Sequence, residues 1–180
     1  PPCVGPPSVG RVFILFGGVE RAGSFDLTAA DVTISGNLGE SFGVTTAVGN
    51  ILSPEGGAPQ DLLVGAETAL YSAGTGYRGA VYLFAGGFAQ GAPLTSSDAE
   101  LTILGRPGMP IGRGLAAADL NNDSYGDIVI GSASRVDVIY GSPSLGGIID
   151  LSSTAADVTI LGLGIGGVLT TGDVNGDGVV

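Results

Sequence analysis

The sequence predicts an all-β protein built from repeated sheets of four short antiparallel strands. Of its 180 residues, 34 are Gly and 10 are Pro, yet 44% are hydrophobic. Gly adopts the positive-φ conformations that tight turns need, so this composition suits short strands better than long helices. The other two observations are β-branched and aromatic runs bounded by turn residues, and an order of such runs that recurs three times.

The repeated unit starts with an apolar strand and continues to a strand of the type Val-Thr-Ile. Asp31, Glu100 and Asp157 occupy the same place in the three copies, at intervals of 69 and 57 residues. Loops of variable length account for the difference. The two strands of each copy lie in the segments 11–18 and 30–36, 79–87 and 99–105, and 135–142 and 156–162.

A Gly-containing turn then leads into a strand of small residues. Gly43, Gly112 and Gly166 each stand seven residues before the polar residue that opens the next loop, namely Asn50, Asp119 and Asp173. Further strands follow the first two of these loops, at 61–67 and 127–133. The identical offset indicates that the three segments fold alike.

Four strands in about 60 residues match one blade of a β-propeller, with the small-residue strand innermost. The tally is about eleven strands, including one near 166–172, so we expect an incomplete propeller of about two and a half to three blades. The chain is interpreted as a fragment of a longer protein. The predicted parts are a Pro-rich N-terminal segment 1–10, a blade remnant 11–40, blades 41–108 and 109–163, and the start of a further blade, 164–180.

The charge balance excludes several functions. Seventeen Asp and Glu residues face six Arg, with no Lys and no His. Nucleic-acid binding and docking on anionic membranes need a basic surface, so neither is expected. Without His, Ser-His-Asp triads and His metal sites are excluded. No apolar run is long enough for a membrane span, and we find no nucleophile with a plausible base, so we do not expect an enzyme.

Cys3 lies in the Pro-rich start and has no partner in the chain, so an internal disulfide is excluded. A free thiol in a frayed terminus is the simpler interpretation, with a lipid-modified or intermolecular cysteine as the alternative. The sequence shows no signal peptide.

The segment 119–127, Asp-Leu-Asn-Asn-Asp-Ser-Tyr-Gly-Asp, predicts a calcium loop between two strands. Calcium takes six to eight oxygen ligands. The expected ligands are the side chains of Asp119, Asn121, Asp123 and Asp127 and the backbone carbonyl of Tyr125. An EF-hand is disfavoured because its twelfth position would be Ile130, within a predicted strand.

Two related loops depart from this pattern. The second carries Asp173, Asn175 and Asp177 as ligands, with Gly178 easing the turn, and is expected to bind calcium weakly or not at all. Read alone, it also resembles half a dockerin motif. The loop 50–61 is three residues longer than its counterpart and retains only Asn50, Glu55 and Asp61 as ligand candidates, so we expect that it has lost the metal.

These motifs resemble the FG-GAP repeat of integrin α-subunit propellers and of bacterial secreted proteins. The segment 42–43 is similar to the Phe-Gly element, 65–67 and 131–133 stand at the Gly-Ala-Pro element, and 119–123 and 173–178 are similar to its calcium loops. The resemblance covers nearly all of the chain from residue 11. Departures include Ile111 and Ile165 for Phe, Glu67 and Ala133 for Pro, and Ser124 for Gly, the last of which is expected to weaken the site.

The resemblance implies a calcium-braced propeller module that is extracellular, at the cell surface or periplasmic. We therefore expect a non-catalytic role in adhesion or protein recognition, with calcium and a protein or cell-surface ligand as partners. The alternative is an accessory propeller of a secreted hydrolase, such as a phospholipase, with catalysis elsewhere. A sugar-binding propeller ranks last because the chain has no Trp.

Overall fold

The computed structural model describes residues 9–18, 23–24, 26–70, 76–91 and 93–176. This part of the chain is all-β, with twelve strands, two single-turn 3₁₀ helices and no α-helix. The strands are β1 (Val9–Ile14), β2 (Val32–Leu38), β3 (Phe42–Gly49), β4 (Asp61–Ala66), β5 (Ala80–Phe84), β6 (Pro93–Thr95), β7 (Leu101–Leu104), β8 (Gly114–Ala118), β9 (Asp127–Ser132), β10 (Arg135–Ile139), β11 (Gly147–Asp150) and β12 (Val158–Leu161).

The strands form three open sheets. The first has the order β1-β2-β6, the second β3-β4-β5-β7-β11, and the third β8-β9-β10-β12. Neighbours within β3-β4-β5-β7 and β8-β9-β10-β12 are antiparallel. The exceptions are β6, which pairs parallel to β2, and β11, which pairs parallel to β7. Each of these two short strands therefore extends the sheet that precedes its own in sequence.

Burial explains the composition of the strands. All six residues of β4 and all six of β9 are buried, and these are central strands covered on both faces. The first core, between the first and second sheets, includes Ile34, Val64 and Phe84. The second, between the second and third sheets, is larger. It contains Ile51, Leu63, Val81, Leu83, Leu101, Ile103, Ile111, Leu115, Ile128, Ile130, Ile139 and Leu151.

Two glycines fix how closely the chain that follows a sheet approaches that sheet. Gly112 has a φ of 98°, and a Cβ there would lie 2.6 Å from the Ala80 carbonyl oxygen. Gly166 has a φ of 85° and lies in the same way against Ser132 of the third sheet. A Cβ on Gly65 would collide with the carbonyl of Gly112, and one on Gly131 with that of Gly166. The regular glycine spacing in the sequence therefore reflects a close backbone contact with the preceding sheet that only Gly permits.

The eight strands predicted between residues 42 and 162 are present, but the tally of about eleven differs from the structure in two ways. The short strands β6 and β11 were not predicted, and the strand predicted near 166–172 is wrong, because the structure has irregular backbone there. No described strand pairs with this segment. Instead, the side chains of Ile165 and Leu169 pack on the outer face of the third sheet. The Thr171 hydroxyl donates a hydrogen bond to the Ala117 carbonyl at 3.2 Å.

None of the helices in the described residues is long and apolar enough to cross a membrane. Cys3 and Asp177 lie outside the described residues.

Candidate metal centre

The loop 119–126 joins the ends of β8 and β9, whose last register pair is Ala118 with Asp127. The small residues of β8 place this end of the strand beside β3, where a Cβ on Gly49 would lie 2.7 Å from that of Ala117. The loop therefore stands at the edge where the second and third sheets meet.

Three predicted ligands form one hydrogen-bonded network in this loop. The backbone N–H of Asp123 donates to Asp119 Oδ1 and to Asn121 Oδ1, each at 3.0 Å. Asn121 Nδ2 donates to Asp123 Oδ2 at 2.8 Å. Asp119 Oδ2 accepts from Ser124 N at 2.7 Å, and Asp123 Oδ1 accepts from Tyr125 N at 2.8 Å. The side chains of Asp119, Asn121 and Asp123 thus share one hydrogen-bond network, and their role as calcium ligands stays a prediction.

Asp127 lies behind this network and is fully buried. Its Oδ2 accepts from Leu120 N at 2.8 Å and its Oδ1 from Gly141 N at 3.0 Å. Burial raises the pKa of the Asp127 carboxyl, these two N–H groups lower it, and the negative charges of Asp123 and Asp119 raise it further. The predicted closing ligand therefore also ties the loop to the end of β10.

Asp61 is the counterpart of Asp127 in the second sheet. Its Oδ2 accepts from Ile51 N at 2.9 Å and from Leu52 N at 2.8 Å, and its Oδ1 accepts from Gly86 N at 3.0 Å. Both carboxylates thus join the start of a loop to a glycine after the next strand. From the sequence, Asp61 was identified only as a possible metal ligand of the loop 50–61. Its position in the repeat is equivalent to that of Asp127, and this equivalence could have indicated that both aspartates hold their loops.

The loops 50–61 and 119–127 are bonded to each other. Gly126 N donates to the Asn50 carbonyl at 2.8 Å, and Glu55 N donates to the Ser124 carbonyl at 2.9 Å. A cleft of about 270 Å³ lies between them, with Glu55 and Asp119 among its lining residues. The two loops therefore form one continuous rim.

Charge is divided between the two ends of the strands. At the loop end the described acids include Asp31, Glu55, Asp61, Glu100, Asp119, Asp123, Asp127 and Asp157. Of the described arginines, Arg11 lies in the middle of β1, paired with Ser35, and the other four lie at the opposite end. These four are Arg78, Arg106, Arg113 and Arg135. Within the described part of the chain the acidic rim has no cationic side chain of its own.

Two residues of the loop 119–127 adopt left-handed backbone without being Gly. Asn122 has a φ of 61° and Ser124 a φ of 75°. Asn adopts this left-handed region with little penalty, whereas for Ser it costs conformational free energy. Ser124 stands where the resembled calcium loops have Gly, so the structure gives a physical reason for the expected weakening of the site.

The donor chemistry fits a hard divalent cation. The side chains of Asp119, Asn121 and Asp123 offer only oxygen as ligand atoms, and Tyr125 adds a carbonyl. Within the described residues, no group of three or more His, Cys, Asp or Glu side chains is placed to hold a metal ion. The loop thus holds the right ligand types, with its oxygens engaged by N–H groups that leave further lone pairs.

The third loop is described only in part. Asp173 Oδ1 accepts from Gly176 N at 2.6 Å, which makes a tight turn like the one that begins at Asp119. Asn175 lies in the same exposed turn. With Asp177 outside the described residues, the prediction for this loop stays a prediction.

No protein-family model matches the chain, and the comparison with curated proteins finds no match.

Proposed function

We propose that this chain is a calcium-binding β-propeller module of an extracellular or cell-surface protein, with a non-catalytic role in adhesion or protein recognition. The observation that carries the proposal is the loop 119–127. There two carboxylates and an amide share one hydrogen-bond network beside a third, buried carboxylate, and none of the arginines that the structure describes lies at this end of the strands.

Electrostatics favour a cation at this position. Three aspartates within nine residues repel one another, and this repulsion contributes to the raised pKa of Asp127. A divalent ion would neutralise the repulsion and hold the start of β9 against the end of β8. The ion would have a bracing role, because none of the loop residues offers a group suited to bond-making chemistry.

The propeller interpretation is supported by the repetition of the sheets. Two four-stranded antiparallel units follow each other, the first packs its face on the second, and a glycine of the segment that follows each unit makes the same close approach to it. Radial repetition of such sheets is the plan of a propeller. Ligand recognition is then expected in the variable loops at the rims.

The test is calcium titration of the 180-residue protein by calorimetry and thermal unfolding. We expect a dissociation constant on the order of 10⁻⁴ to 10⁻³ M, as in other extracellular calcium modules. Calcium at about ten times that constant should stabilise the fold by about 1.4 kcal/mol. Magnesium at equal concentration should have a smaller effect, because it keeps its water and demands stricter geometry.

Two charge-matched variants separate a built site from general screening. The variant Asp119→Asn/Asp123→Asn removes two loop carboxylates, and Glu55→Gln/Glu100→Gln removes two exposed carboxylates from the same rim. We expect only the first to lose the calcium response. Equal losses in both, or no response in the native protein, would refute a calcium site in this loop.

A further inference from the structure

Asn175 is followed by a glycine, which distinguishes it from the other asparagines of the chain. The others are Asn37, Asn50, Asn121 and Asn122, which precede Leu, Ile, Asn and Asp. The backbone nitrogen of the residue after an Asn can attack the side-chain carbonyl carbon, and this cyclisation is one reason why Asn is thermolabile. A side chain on that following residue crowds the ring as it forms, and Gly176 has none.

The turn 173–176 is open to water. Asp173, Asn175 and Gly176 are exposed, and Val174 between them is 99% exposed. Gly176 has a φ of 75°, a backbone conformation that residues with a side chain adopt at a cost. Water, which opening of such a ring consumes, therefore has access to this turn, and the geometry of the turn favours the residue that permits cyclisation.

Asn121 occupies the equivalent position in the loop 119–127 and serves as an internal reference. Its Oδ1 accepts from Asp123 N at 3.0 Å, and its Nδ2 donates to Asp123 Oδ2 at 2.8 Å. The residue that follows it, Asn122, brings a side chain next to the amide. Cyclisation at Asn121 therefore requires both hydrogen bonds to break and the crowding to be overcome.

One hydrogen bond restrains the nitrogen that would attack Asn175. Gly176 N donates to Asp173 Oδ1 at 2.6 Å. In the five-membered ring this nitrogen carries no hydrogen, so the bond is given up when the ring forms. The bond to Asp173 therefore stabilises the open Asn175 side chain relative to the ring.

We propose that Asn175 is a self-modification site, at which a succinimide forms and opens to aspartate or isoaspartate, and that the hydrogen bond to Asp173 slows this reaction. Gly176 N bonds to Cγ of Asn175 while the C–N bond of the side-chain amide breaks. The proton from Gly176 N leaves with the amide nitrogen as ammonia. Water then adds to one of the two ring carbonyls and opens the ring. The overall reaction consumes one water and releases one ammonia, with no oxidation or reduction.

The two products change the turn in different ways. Aspartate keeps the backbone as it is and adds one negative charge to a chain whose formal net charge is −11. Isoaspartate directs the backbone through the former side chain and lengthens it by one carbon, which alters the turn that Gly176 closes. The modification needs no metal ion, so it is independent of the proposed calcium site.

The test incubates the 180-residue protein with a calcium chelator at physiological pH and temperature. Peptide mapping by mass spectrometry in ¹⁸O-water measures conversion at each Asn, and electron-transfer fragmentation separates aspartate from isoaspartate. We expect Asn175 to convert at least about tenfold faster than Asn121, because Gly176 does not crowd the ring. Asp173→Ala should accelerate conversion of Asn175 about fivefold by removing the hydrogen bond. The matched control Asp119→Ala, in the loop 119–127, should leave the rate at Asn175 unchanged.

Unfolding in urea separates the effect of sequence from that of the turn. In urea the native protein and Asp173→Ala should convert Asn175 at equal rates, because the turn is absent. Conversion of Asn175 no faster than that of Asn121 in the folded protein would overturn the modification site. An Asp173→Ala rate equal to the native rate, or an acceleration that persists in urea, would overturn the restraint. A slower rate in this variant would also overturn it, by showing that the carboxylate assists the reaction.

Discussion

The loops 50–61 and 119–127 occupy the same place in consecutive sheets but are stabilised differently. Both end on a buried aspartate whose two oxygens accept backbone N–H groups from the loop and from a glycine beyond the next strand. Only the second loop adds Asp119 and Asp123, whose carboxylates accept backbone N–H groups and so stabilise its turn. The negative charges of these carboxylates also repel each other. The comparison separates two uses of one aspartate position: holding backbone, which both loops share, and holding a cation, which we propose for one.

The largest effect is expected from removing the shared function. Asp61→Ala leaves the N–H groups of Ile51, Leu52 and Gly86 without their acceptor, and each buried unpaired group costs about 1–3 kcal/mol. We expect a loss of at least about 3 kcal/mol in the free energy of unfolding, measured with urea. Glu55→Ala, at an exposed position in the same loop, should change it by less than about 0.5 kcal/mol. A loss near that of the control would show that Asp61 does not hold its loop.

The second prediction distinguishes the two aspartates by calcium. Asp61→Asn and Asp127→Asn should each cost about 2 kcal/mol without calcium, because an amide accepts on only one of its two polar atoms. Only Asp127→Asn should also abolish the calcium-induced rise in melting temperature. If Asp127→Asn keeps the full rise, Asp127 serves the backbone alone and the metal ligands lie elsewhere in the loop.

Much of this architecture could be predicted from the sequence, and the misses have physical causes. Strands such as β4 and β9 were evident because continuous apolar runs between turn residues mark central strands. The strands β6 and β11 were missed because a run of three or four residues is too short to show the alternation of apolar and polar residues that marks a strand. Their pairing partners also lie in the preceding sheet. Their presence depends on a free edge at β2 and β7, which no local pattern reveals.

The candidate site divides in the same way. The spacing of Asp119, Asn121 and Asp123 indicated that they share one turn, because an Asx-rich turn is a local structure. The engagement of Asp127 by Gly141 could not be foreseen, since that N–H belongs to a residue 14 positions later, after a full strand. The strand predicted near 166–172 was wrong for a similar reason: small residues permit a strand, but only a neighbouring strand makes one.

The third prediction concerns pH. The pKa of Asp127 is raised by burial and by the charges of Asp123 and Asp119, so the folded state binds its proton more tightly than the unfolded state. Its contribution to stability is therefore full below the unfolded pKa and is lost as pH rises through the folded pKa. In calcium-free buffer, the stability difference between the native protein and Asp127→Asn should shrink as pH rises from about 3.5 to 7. A difference that grows over this range would contradict the prediction, and calcium should matter most at the upper end.

The smallest effect tests backbone strain. Ser124 has a φ of 75°, so Ser124→Gly should raise the free energy of unfolding by about 0.5 kcal/mol and tighten calcium binding. The control is Ser53→Gly in the loop 50–61. Ser53 is not among the left-handed residues, so there Gly should lower stability by about 0.5–1 kcal/mol. Changes of the same sign in both loops would remove strain as the explanation.

The exchange of strands between neighbouring sheets has a consequence for biosynthesis. The edge of the second sheet is completed by β11, which leaves the ribosome only after β8, β9 and β10 of the third sheet. Likewise, β6 reaches the first sheet after most of the second has been made. Consecutive folding units therefore overlap along the chain, and neither the first nor the second sheet can finish before its successor has begun. A nascent chain of which about the first 140 residues have left the ribosome should hold the second sheet with one edge open. Limited proteolysis of ribosome-bound chains arrested at successive lengths would detect this state.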